Sequence, residues 1–113
     1  MKPILSKAQL DYMKAKNSFE NRAKVMEKEI AAKRALQEIT QEVMEELVQA
    51  TGFHDAYNDL VTAENALIEW SHTTIKHEKT YRENRGAIDA MYENVNASPE
   101  KRQELIQLSM KIR

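Results

Sequence analysis

No cysteine occurs among the 113 residues, which excludes disulfides, thiolate nucleophiles and zinc–thiolate sites. Glycine and proline occur twice each, so little in the chain interrupts a helix. Aromatic residues make up 6%, and the hydrophobic 42% leans on Ala and Met, so the core of a lone monomer is expected to be thin. No stretch approaches the ~18 consecutive apolar residues of a membrane span. The opening MKPILSKAQ lacks the apolar core of a signal peptide, so a cytoplasmic protein without membrane contact is expected. There is no glycine-rich phosphate loop and no Ser-His-Asp grouping, so neither an enzyme nor a cofactor is expected.

What is present is Ala, Glu, Lys, Gln, Met and Leu, the residues that favour helix. The expected fold is all-α: one helical domain over 1–113, built as a long antiparallel hairpin with short C-terminal helices in a bundle-like arrangement. Ser6 can cap a first helix over about 6–50, and Gly52 suits a left-handed stop at a turn over 51–53. A second helix is expected over about 54–85, a short one over about 87–95, and a last one over about 99–112. Ser98-Pro99-Glu100 is the clearest local signal, with an N-cap, a proline at N1 and an acid in the first turn. No family motif is legible; the turn reads Ala50-Thr51-Gly52-Phe53, without the Trp-x-Gly of secreted hairpin effectors.

Advancing about 100° per residue from Leu67, the second helix gathers Phe53, Ala56, Leu60, Ala63, Trp70, Thr74 and Tyr81 on one apolar face. Glu64 and Glu78 fall on or beside that face. Either a Lys or Arg of another helix, such as Arg22 or Lys33, pairs them, or the helix is wet near its end, or they serve as functional carboxylates. Glu69 and His72 have the Glu-x-x-His spacing of bundle metal sites, but they lie at about 200° and 140°, towards solvent. No metal site is expected there. In the first helix Tyr12, Ala15, Phe19, Met26 and Ile30 share one stripe, while Leu36, Ile39, Val43 and Leu47 share another, rotated by roughly 80–100°. Supercoiling explains part of that rotation, and two different packing partners would explain the rest. The first arm overshoots the second, so Tyr12, Phe19, Met26 and Ile30 are expected to form a homodimer interface, in competition with the last helix, whose Leu105, Leu108 and Ile112 could fold back over the same surface within one chain.

Charge is segregated. Residues 1–34 hold nine basic and four acidic residues, residues 35–70 hold eight acidic and no Lys or Arg, and residues 71–113 hold eight basic and six acidic. Helical faces normally interleave the signs. Folding the hairpin at Gly52 would put the acids at its tip and the bases at its open end. The expected function is protein–protein docking by a small non-enzymatic adaptor or regulator. Glu42, Glu45, Glu46, Asp55 and Asp59 of the acidic tip would face an unidentified protein partner. The alternative is a nucleic-acid-associated protein that holds phosphates with Lys76, Lys79, Arg82 and Arg85. Acidic mimicry of nucleic acid is a further reading of the same block.

Overall fold

The structure is a computed structural model that describes residues 5–112. Lys2 and Arg113, counted in the charge balance, lie outside the described residues. The described residues are all-helical, with 82% of them in helix. Among the described residues the helices are α1 (Lys7–Arg34), α2 (Gln41–Thr51), α3 (Phe53–Ile75), α4 (Lys79–Glu83), α5 (Arg85–Glu93) and α6 (Pro99–Lys111). The long α1 packs against α3 as the arms of a helical hairpin. The chain divides into two compact units: residues 13–62, and residues 63–113 together with those before 13.

In the unit 13–62 the expected helix over 6–50 is broken. α1 ends at Arg34, with Leu36 and Gln37 still donating to Lys33 O at 3.0 and 2.8 Å. α2 starts afresh from Thr40, whose extended backbone and side-chain Oγ1, accepting from Val43 N at 3.2 Å, form an N-cap. Leu36, expected on a buried stripe, is 84% exposed in the connection.

The chain reverses in this connection and not at 51–53. Gly52 is in the left-handed conformation at φ 70°, as expected, but α3 begins at the next residue. A Cβ on Gly52 would lie 3.9 Å from Arg22 Nε, and Phe19 packs on Phe53 and Tyr57 with ring centroids 5.3 and 6.2 Å apart. From Arg22 to Arg34, α1 travels about 18 Å away from this contact, at ~1.5 Å per residue. The chain must be back at Gly52 after six connecting residues and α2, which itself covers about 15 Å. α2 therefore runs antiparallel to the second half of α1. Gly52 is a joint within the returning arm.

The other unit holds Leu67, Leu105 and Ile106 at 2% exposure or less, with Tyr12, Ile68, Tyr81 and Tyr92 also buried. Ser71 is fully buried and Glu64 nearly so, which turns the inward face of α3 about 40° from the expected stripe. α3 ends at Ile75, ten residues earlier than expected, and α4 restarts from extended Glu78. α6 opens as its sequence indicates: Ser98 Oγ accepts from Lys101 N at 3.2 Å, with Pro99 in the first turn.

Gln9 fastens the first turn of α1 to the end of α6. Its Oε1 accepts from Ser6 N at 2.9 Å while Ser6 Oγ accepts from Gln9 N at 3.2 Å, a reciprocal capping box. Its Nε2 donates to Ser109 O at 3.1 Å and Ile112 O at 2.8 Å, carbonyls at the C-terminal end of α6 and its cap. The side chain is 1% exposed, so water cannot replace it. Gln9→Ala should cost about 2–3 kcal/mol in urea denaturation, against about 1 kcal/mol for the half-buried cap variant Ser98→Ala. Equal losses would show that the α6 contact adds nothing to the cap.

Candidate functional site

Two groups of residues stand out, one in each unit. The first is a polar seam in the unit that holds α4, α5 and α6. Ser71 Oγ lies 2.9 Å from Tyr92 Oη, 2.8 Å from Ser109 Oγ and 2.9 Å from Ile68 O, and Ser109 Oγ also reaches Leu105 O at 2.7 Å. These four contacts share three hydroxyl protons, so one of them is always unfilled. The Tyr92 ring stacks on His72 at 4.3 Å and 11°. His72 Nε2 sits 3.0 Å from Asp89 Oδ1, which also accepts from Tyr81 Oη at 2.7 Å, while Arg85 Nε is 3.8 Å from Asp89 Oδ2.

His72 thus does not point freely to solvent. The α3 wheel could not show this, because the acid that orients it comes from α5. A histidine held by an aspartate resembles a general-base pair, and here the Tyr92 ring covers one face of the imidazole. The adjacent hydroxyl, Ser71, is turned into the seam, so the arrangement works as a clamp joining α3, α4 and α5. Glu69 is exposed, and both it and His72 border an open depression of ≈ 270 Å³ that Arg102 also lines. A guanidinium there opposes a cation, and no group of three metal-ligating side chains occurs among the described residues.

Glu64 has a partner that neither Arg22 nor Lys33 supplies. Arg102 of α6 lies 3.4 Å away and also donates to Asn65 Oδ1 at 2.7 Å and Asn96 Oδ1 at 3.1 Å. Glu78 is exposed at the α4 N-terminus, consistent with a wet end to the long helix.

The second group is acidic. Glu42, Glu45 and Glu46 on α2 and Asp55 and Asp59 on α3 are all exposed, and no ion pair among the described residues includes them. Glu45 accepts only from Gln41 Nε2, at 3.3 Å. They do not form a hairpin tip. The reversal at 35–40 leaves Glu38 there, and the remaining acids line the returning arm beside α1.

Tyr12, Phe19, Met26 and Ile30 are covered within one chain. Tyr12 and Met26 are buried, Ile30 is half-buried, and Phe19 packs on Phe53 and Tyr57. Phe19 and Ile30 keep part of their surface exposed. The bases of the nucleic-acid reading do not share a helix: Lys76 is in the α3–α4 connection, Lys79 and Arg82 in α4, and Arg85 in α5. Lys79 pairs with Glu83 at 3.6 Å and Arg85 with Asp89, which leaves Lys76 and Arg82 without an ion pair among the described residues. Compared with protein-family models, curated proteins and solved structures, the chain matches none.

Protonation reports on the clamp. The His72 hydrogen bond, followed by the one from Tyr81, holds the Asp89 carboxyl below its ordinary value. Tyr81 is raised mainly by its hydrogen bond to Asp89, and Tyr92 mainly by burial. A carboxyl lowered in the folded state adds stability above its unfolded value of about 4 and loses it as pH falls through the folded value. Asp89→Asn should therefore lower the melting temperature at pH 7 and lessen its fall between about pH 5 and pH 2.5. Parallel curves for wild type and variant would mean that Asp89 does not bear on folding.

Proposed function

We propose that this protein is a small non-enzymatic adaptor that docks a basic protein through the acidic face of α2 and the start of α3. The observation that carries this reading is the exposed, unneutralised state of Glu42, Glu45, Glu46, Asp55 and Asp59. α1 runs beside α2 and carries Lys24, Lys28, Lys33 and Arg34, yet no described ion pair joins the two helices. Carboxylates left without internal partners maintain a negative potential outside the molecule, which steers and orients a basic partner. Phosphate binding has weaker support, because acids within the chain engage two of its four bases.

The test is co-purification from the native host with wild type and with a variant carrying Glu42→Gln, Glu45→Gln, Glu46→Gln, Asp55→Asn and Asp59→Asn. A basic protein should accompany the wild type at low salt, and be lost with the variant and above about 0.3 M salt. Retention by the variant would overturn the reading. A low-salt gel shift abolished by Ala at Lys76, Lys79, Arg82 and Arg85 would favour the nucleic-acid alternative.

A further inference from the structure

The acidic face contains an apolar groove. Met44 and Val48, one turn apart on α2 and both half-buried, lie in an opening of ≈ 380 Å³ completed by Gln41, Glu45 and Gln49 and by His54 of α3. His54 Nε2 is 3.2 Å from the side-chain amide of Asn58. No Lys or Arg lines the opening, and none occurs anywhere in residues 35–70. Glu45 stands at the edge of the groove, and Glu42 and Glu46 follow outward around the same helix.

This pairing limits what can fit. A purely apolar partner would remove water from Glu45 and give it no counter-charge, which is costly. A purely basic partner would satisfy the carboxylates and leave Met44 and Val48 against polar groups. Nucleic acid carries the wrong sign. A partner whose apolar residues fall on one helical face, flanked by Lys or Arg, meets both demands at once. Met44 adds adaptability, since its unbranched thioether accepts side chains of several shapes.

Resting on the docking reading above, we propose that this groove seats an apolar side chain of a cationic amphipathic helix, whose flanking bases pair with Glu42, Glu45 and Glu46. Charge gathers such partners to the face, and the groove selects among them.

The test uses two synthetic peptides of about four helical turns and identical Lys, Ala and Leu composition. One places its leucines on a single helical face, and the other scatters them. Isothermal titration of the full chain should show the amphipathic peptide binding about tenfold tighter or more, as burial of one large apolar side chain implies. Met44→Ser with Val48→Ser should erase that preference. Val48→Thr, which keeps the side-chain shape, should reduce the preference even if the double variant folds poorly. Equal binding of both peptides by wild type would overturn the groove proposal and leave electrostatic docking standing. Binding of neither would overturn both. Self-association abolished by the double variant, with no peptide bound, would assign the groove to a second copy and overturn the proposal.

Discussion

The constraint on which the unit 13–62 depends is the interruption of its first helix between Arg34 and Gln41. A continuous helix to residue 50 would carry Leu47 and Thr51 away from α1. Both are instead buried, as is Met26 on α1. The return of α2 also decides the charge distribution, because it draws the base-free stretch alongside a helix rich in Lys and Arg. A tip-to-end dipole becomes two faces of opposite sign within one unit. The acidic face stays exposed because α2 turns Leu47 and Thr51 inward and its carboxylates outward.

The other unit is organised by polar contacts to an unusual degree for so small a core. Gln9, Ser71, Ser109 and Glu64 are all buried, and among the described residues every buried side-chain polar atom has a hydrogen-bond partner. Such groups are costly unless satisfied, so they admit few alternative registers. Ser71 and Ser109 let α3 and α6 approach closely enough for their hydroxyls to meet at 2.8 Å, a contact that a leucine at either position would prevent. The Glu64–Arg102 pair fixes the same two helices further along. Little of its energy is net gain, and its effect is to penalise any arrangement that separates the partners.

Much of this was legible in the sequence, and the errors have physical causes. The helical class, the Ser98-Pro99 start of α6 and the left-handed Gly52 follow from local chemistry and stand. The hairpin turn does not follow from Gly52, because a left-handed residue ends a helix without dictating where the chain goes next; at Gly52 a new helix begins at once. The stripe on residues 12–30 and the rotated stripe on residues 36–47 carried the true signal. A phase jump of that size marks a break more naturally than a change of packing partner, and Thr40 is a good N-cap. The partner of Glu64 was not legible, since 38 residues separate it from Arg102. The environment of His72 is hidden for the same reason: a helical wheel omits the neighbour that supplies Asp89. The Ser6-x-x-Gln9 capping box could have been read directly from its spacing, although the reach of Gln9 to α6 could not.

The acidic arm connects fold and proposed function, because the same reversal that buries Leu47 leaves Glu42, Glu45 and Glu46 facing outward around the Met44–Val48 groove. The direction of α2 is therefore the point to measure. Spin labels on Lys24→Cys and Ala50→Cys, both exposed positions in a chain without native cysteine, report it by pulsed dipolar spectroscopy. These positions lie opposite one another in the register set by Arg22 and Gly52. An antiparallel return predicts a separation of about 10–20 Å, given helix axes roughly 8–10 Å apart and the reach of the labels. A distance near 39 Å, the span of 26 residues of unbroken helix at ~1.5 Å each, would contradict it.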